Sequence, residues 1–266
     1  MSIIPPVLLV GLGKMGSAML GGWRERGLAP SVAIDPLLPP SPGPEVTVVA
    51  GPGQLPAGFA PAAVVLAVKP QQAAEALPPL ARFAGSAVML SIMAGKTIAS
   101  LRPWLGDRAA IVRSMPNTPA AVRQGMTVAC AGAGVTDEQR ALCDTLLTAI
   151  GTVAWVDDEA LLDPVTAVSG GGPAYVFLLA ELLEHAAIEQ GIPADLARTM
   201  ARQTVAGSGA LLAAATEHPA LLRRNVTSPA GTTERALAVL MADDAWPRAI
   251  SCAIAAATAR SRELAG

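Results

Sequence analysis

The chain has 266 residues, 52% hydrophobic and 15% charged, with a formal net charge of −2. That is enough apolar material to bury a core in one large domain or two smaller ones, and it excludes a disordered polymer. With no Lys/Arg cluster and only 3% aromatic residues, nucleic acid has no electrostatic footprint here.

Met1–Val10 has no basic opening and breaks at Gly11 after a short apolar run, so it does not read as a signal peptide. No stretch reaches the roughly 18–20 uninterrupted apolar residues of a membrane span, so no membrane partner is expected. Cys130, Cys143 and Cys252 are odd in number and lack C-x-x-C spacing, which fits a reduced, cytoplasmic compartment. His185 and His218 are far apart in sequence, so neither a metal site nor a histidine-based triad is expected.

Val7–Val10 reads as a buried strand. It is followed by G-L-G-K-M-G (Gly11, Gly13, Gly16) and by helical character over Ser17–Gly27. Strand, G-x-G-x-x-G and helix in that order form the dinucleotide-binding fingerprint. Gly11 permits the tight turn, Gly13 lets the backbone approach a pyrophosphate, and Gly16 lets the helix pack closely. Asp35 ends the next apolar run. There it either bonds both ribose hydroxyls, which favours NAD, or caps the Pro-rich turn Pro36–Pro44. Pro36–Ala50 contains no Arg or Lys to receive a 2′-phosphate.

Glu45–Ala50 and Ala62–Val68 read as further strands, and the second runs into A-V-K-P-Q (Ala67–Gln71). Lys69 is either a solvated surface charge or a side chain at the ligand crevice of a parallel sheet. A helix is predicted over Ala73–Phe83, a strand over Ala87–Ile92 ending in S-I-M-A-G, and a helix over Lys96–Leu105. The strand Ala109–Arg113 leads into S-M-P-N-T-P, where Asn117 is a turn former or a ligand contact. Met126–Cys130, a helix Asp137–Ile150 and a strand Thr152–Val156 complete an α/β alternation.

After Asp158 the strand-like runs vanish. Segments with 3.6-residue apolar period take over: Ala174–Gln190, Ala194–Ala215, His218–Val226, Thr233–Met241 and Trp246–Leu264. The fold class is therefore α/β plus all-α: a Rossmann-type doubly wound sheet over residues 1–158, then a helical domain over 159–266. Ala-rich helices with broad apolar faces point to burial in a homodimer. Between two of them, Asn225–Thr233 reads N-V-T-S-P-A-G-T-T, just where a helix begins. Ser228 or Thr232 either caps that helix, or the unpaired amides and hydroxyls there hold a small carboxylate.

Taken together, G-L-G-K-M-G, A-V-K-P-Q, M-P-N-T-P, S-G-G-G-P-A-Y (Ser169–Tyr175), A-R-Q-T-V-A-G (Ala201–Gly207), S-P-A-G-T-T and the C-terminal A-A-A-T-A-R-S-R-E-L resemble pyrroline-5-carboxylate reductases over nearly the whole chain. The resemblance implies reduction of a cyclic imine to L-proline with hydride from NAD(P)H, in proline biosynthesis. It implies an N-terminal Rossmann domain and a helical domain forming a homodimer, in some members assembled into decamers. It places NADP(H) or NAD(H) on Gly11, Gly13, Lys14, Met15 and Gly16, on Ala67, Val68, Lys69 and Pro70, near Met93, Ala94 and Gly95, and near Asn117, with Asp35 at the ribose. It places the substrate at Val226, Ser228, Gly231, Thr232 and Thr233, with the Thr233 hydroxyl at the ring nitrogen as the catalytic group.

Three positions depart from that family's pattern. Ala230 replaces the first Gly of S-P-G-G-T-T, Gly171 replaces the second Ser of S-G-S-G-P-A-Y, and Gln54 stands where an Asn often reaches the cofactor. A β-hydroxyacid dehydrogenase, which needs a lysine in its helical domain, is disfavoured because no lysine follows Lys96. Reduction of another cyclic imine on the same plan, or a non-catalytic NAD(P) sensor, are the alternatives.

Overall fold

A computed structural model describes residues 4–265, so residues 1–3 and 266 of the two expected domains lie outside the described part. The chain separates into two compact units, Met1–Gly170 with Ala257–Gly266, and Gly171–Ala256.

The first unit is built on eight strands: β1 (Val7–Val10), β2 (Ser31–Ile34), β3 (Val46–Val49), β4 (Ala63–Leu66), β5 (Val88–Ser91), β6 (Ile111–Met115), β7 (Gly125–Ala131) and β8 (Gly151–Val156). They form one sheet in the order β3-β2-β1-β4-β5-β6-β7-β8. From β3 to β6 every pairing is parallel, while β7 runs antiparallel to β6 and β8 parallel to β7. Parallel neighbours need crossovers, supplied by α1 (Lys14–Glu25), α2 (Ala73–Ala76), α3 (Ile98–Leu105) and, between β7 and β8, α4 (Asp137–Thr148).

Strands covered on both faces read as near-continuous apolar runs, and β1, β2, β4 and β5 are buried at every position, with Ser31 and Ser91 the polar exceptions. Alternation along β1 sends Leu9 into one core, with Trp23, Val65 and Leu146, and Leu8 into the other, with Leu66, Leu80 and Leu101. The indole N–H of Trp23 donates to the Leu146 carbonyl at 2.8 Å, which satisfies the one polar atom of a fully buried side chain.

The helix expected over Ala73–Phe83 is interrupted. α2 stops at Ala76 and the chain continues as 3-10 turns over Pro78–Phe83. Pro78 and Pro79 carry no amide N–H, so the i→i−4 ladder cannot pass them. The apolar spacing is nevertheless kept, because Leu77 and Leu80 are fully buried. After β8 come the short α5 (Leu162–Val165) and a π turn over Thr166–Gly170.

The second unit contains α6 (Gly172–Glu189), α7 (Ala194–Ala214), α8 (Pro219–Asn225), α9 (Thr232–Leu240) and the start of α10 (Trp246–Ala265). Gly191, at φ +85°, ends α6 with its amide on the Ile188 carbonyl, while the Ile192 amide reaches Ala187. Among the described residues of this unit only Ala197 and Ala201 are buried. Phe177 is 67% exposed and Val239 71%. The helical stretch Glu159–Glu189 is also long and apolar enough to cross a membrane by length and composition, although it carries charged residues that interrupt its apolar runs.

Candidate functional site

In a parallel sheet all the strands deliver their following loops to one edge, and the order β2-β1-β4 makes that edge split on either side of β1. The expected dinucleotide residues fall there: Gly11–Gly16 after β1, Asp35 after β2, Ala67–Pro70 after β4, Met93–Gly95 after β5 and Asn117 after β6.

The glycines of the fingerprint have distinct reasons. Gly11 has φ +101°, and a Cβ there would lie 2.7 Å from the Ala67 carbonyl oxygen. At Gly16 a Cβ would overlap the Gly11 carbonyl oxygen. Gly13 caps α1 with extended backbone and faces open space, with nothing within 4 Å of where a Cβ would stand. Among the described residues no hydrogen bond engages the amides of Gly13, Lys14, Met15 and Gly16. Free amides at a helix start, over an empty approach, fit a dinucleotide pyrophosphate.

Asp35 closes the turn that follows it, one of the two readings of its sequence position, and it also reaches the glycine loop. One carboxylate oxygen accepts the Leu12 amide at 2.9 Å, tying it to the glycine loop, and the other accepts the Leu37 amide at 3.0 Å, closing the turn. Lys69 is exposed, and its amide donates to Oε1 of Gln72. Gln54 accepts the Ala50 amide at 2.9 Å, so its side-chain oxygen is used inside the turn after β3.

Asn117 is heavily engaged with the protein. Its Oδ1 accepts the Met126 amide at 2.8 Å, and its Nδ2 donates to the Ser169 carbonyl and hydroxyl at 3.2 and 3.3 Å. The side chain thus clamps the M-P-N-T-P loop to β7 and to the π turn. The Met93–Gly95 loop is similarly fixed, with Met93 buried, its amide on the Ser91 hydroxyl, and Gly95 at φ +69°. The Asn117–Ser169 clamp, like the Arg113–Glu159 ion pair at 2.9 Å, was not legible from motif spacing, because each joins segments remote in sequence.

The expected substrate residues lie in the second unit, on the loop between α8 and α9. The Gly231 amide donates to the Ser228 carbonyl at 3.1 Å, closing a Ser-Pro-Ala-Gly turn. Ala230, third in that turn, sits at φ +57°, a conformation that glycine adopts without penalty. Glu234, in the first turn of α9, reaches back to accept the Ala230 amide at 2.7 Å. Neither Ser228 nor Thr232 caps the helix. The N-cap is Gly231, which has no side chain to do so. No hydrogen bond among the described residues engages the amides of Thr232 and Thr233, and Val226 and Ser228 are exposed beside them. The loop therefore offers unpaired donors at a helix start together with the hydroxyls of Thr232 and Thr233.

The two buried thiols, Cys130 and Cys143, add no nucleophile. Burial pushes Cys143 up to about 12, and burial, with the Glu159 carboxylate second, raises Cys130. Among the described residues no group of three or more His, Cys, Asp or Glu is placed to hold a metal ion.

Residues 159–264 match the family model for pyrroline-5-carboxylate reductase dimerisation. The chain is 38% identical to the pyrroline-5-carboxylate reductase of Pseudomonas aeruginosa, an alignment covering 98% of this chain and 97% of that one. Among solved structures, a pyrroline-5-carboxylate reductase from Coxiella burnetii superposes with a TM-score of 0.88 at 30% identity, covering 99% of both chains. The Plasmodium falciparum pyrroline carboxylate reductase, solved with NADP bound, gives 0.84 at 26% identity over 100% of both. With its dinucleotide fingerprint intact and a relative of this similarity matched from end to end, the chain belongs to the pyrroline-5-carboxylate reductase family.

Proposed function

We propose that the chain reduces 1-pyrroline-5-carboxylate to L-proline with NADH or NADPH as the donor. The observation that carries this reading is the full-length similarity at 38% identity to a reductase of that name. A bound reduced nicotinamide supplies the hydride. The chain supplies a cradle for the pyrophosphate at Gly11–Gly16, a ribose acceptor at Asp35, and walls from Ala67–Pro70, Met93–Gly95 and the segment held by Asn117. The substrate carboxylate binds the amides of Gly231, Thr232 and Thr233 beside Ser228 and Val226, and the Thr233 hydroxyl holds the ring nitrogen.

This assignment suits the absence of acid–base machinery in the proposed set. A protonated imine arrives from solution already electrophilic, so positioning and exclusion of water carry the work. Thr233→Ala is expected to lower kcat/KM by about 1.5–3 kcal/mol, the loss of one charge-assisted contact. Steady-state assay with pyrroline-5-carboxylate checks it, and unchanged kinetics would remove Thr233 from the mechanism. Assay of unsubstituted 1-pyrroline separates this function from that of a reductase for uncharged imines, because a carboxylate site strongly prefers the acid. A sensor would bind NAD(P)H without oxidising it in the presence of either imine.

The proposed domain division between residues 158 and 159 is supported by the dimerisation match, which begins at 159, whereas the compact units part at Gly170 and return Ala257–Gly266 to the first. A second copy of the chain, rather than lipid, covers the apolar helices, with decamers as a further stage of assembly. Three cysteines outside any disulfide are in keeping with a cytoplasmic protein.

A further inference from the structure

We propose that Glu159 is a positioning residue for the dinucleotide, acting through the Met93–Gly95 loop. This rests on the reading that the loop borders the cofactor. One oxygen of Glu159 accepts two hydrogen bonds, from the Ile98 amide at 2.8 Å and from Nη1 of Arg113 at 2.9 Å. Ile98 is the first residue of α3, so its amide has no partner within the helix. Arg113 is 4% exposed and projects from β6. A single carboxylate oxygen thus fixes the start of one helix against a neighbouring strand.

The loop just before that helix start is anchored on every side. Ser91 accepts the Met93 amide through its hydroxyl, and Ser114 donates to the Ser91 carbonyl at 3.2 Å. Leu264 packs against Gly95 so closely that a Cβ there would lie 3.1 Å from the leucine Cβ. Thr97 caps α3 by accepting the Ser100 amide at 3.1 Å. Ala94 is left as the exposed crest of this clamped segment. Glu159 and its partner Arg113 are the charged members of this set. A partly buried ion pair is a poor source of net stability, because desolvation offsets the attraction. Its strength is directional, and the direction here is the position of α3 and of the crest that precedes it.

The test compares Glu159→Ala, Glu159→Asp and Glu159→Gln in the full-length protein by dinucleotide binding, steady-state kinetics and thermal unfolding. The alanine variant, which loses the bonds to both Ile98 and Arg113, is expected to raise the Kd and KM for NADH on the order of tenfold, while the KM for the imine stays within about twofold. Glutamine keeps an acceptor of the same reach and is expected to restore most of the affinity. Aspartate keeps the charge opposite Arg113 but is too short to hold both donors. It is expected to resemble alanine in Kd while unfolding close to wild type, which keeps the test decisive if the alanine variant does not fold. Wild-type NADH affinity in the aspartate variant, or equal loss for NADH and imine, overturns the proposal. Wild-type protein that fails to bind dinucleotide overturns the underlying site assignment instead.

Discussion

At the scale of single residues, two side chains, Ala230 and Asp35, carry the sharpest expectations. Ala230 occupies a left-handed turn position at φ +57°, held by the bond from its amide to Glu234. Ala230→Gly is expected to relieve about 1 kcal/mol of backbone strain, partly offset by the greater freedom of glycine in the unfolded chain. Thermal unfolding reads this as a small rise in Tm, and a fall would show that Glu234 depends on the alanine. Asp35 is the second. Both of its oxygens accept backbone amides, so the carboxylate is held in place, and in the proposed site it would face a 2′-phosphate with like charge. The ratio of kcat/KM for NADH over NADPH is therefore expected to exceed one and to fall in Asp35→Ser. A strong preference for NADPH in the wild type would show that the ribose contact lies elsewhere.

At the scale of elements, a tight tolerance lies where α1 meets the glycine loop. A Cβ on Gly16 would overlap the Gly11 carbonyl oxygen, and backbone cannot swing aside as a side-chain tip can. Gly16→Ala is expected to cost at least about 1–3 kcal/mol in stability and to weaken dinucleotide binding together. Loss of only one of the two would separate packing from binding at this helix. The far end of α1 is pinned by Arg123, which pairs with Glu25 at 2.7 Å and bonds the Ala18 carbonyl at 3.1 Å. The hydrogen bond from Arg123 lowers the Glu25 pKa, so this contribution is present above the unfolded carboxylate value of 4.5 and is lost as the pH falls below it.

Much of this was legible beforehand. β1, the glycine fingerprint and Asp35 form a local pattern whose physics lies within a few turns of chain, and the helices after Asp158 announce themselves by period. Legibility ended where partners are distant. Nothing near Asn117 points to Ser169, and nothing near Ile98 points to Glu159, because those bonds are set by the strand order. The stop at Pro78 was visible in the residues, but apolar spacing alone extends the helix past it.

At the scale of the molecule, the two units differ in what they bury. The first has two large apolar cores and a small third one around a sheet, whereas only Ala197 and Ala201 are buried in the described part of the second. Leu178, Leu182 and Leu212 are each about half exposed within one chain. Such faces exceed what a monomer leaves to water, and they match the region that the dimerisation model covers. Tm is accordingly expected to rise with protein concentration, by mass action on a folded dimer. A concentration-independent Tm with a monomeric mass in sedimentation would refute that.

The last helix has a bearing on how the protein is made. α10 starts in the second unit, but Ala257–Gly266 belong with the first, where the Ser261 hydroxyl donates to the buried Asp163 carboxylate at 2.7 Å. A ribosome releases the chain from its N-terminus, and domains ordinarily fold as they emerge. Here the first unit waits for the residues from Ala257 onward until the whole of Gly171–Ala256 has been synthesised. A nascent chain stalled before Ala257 lacks both the partner of Asp163 and the leucine that packs on Gly95, so its first unit stays unfinished through translation of the helical half.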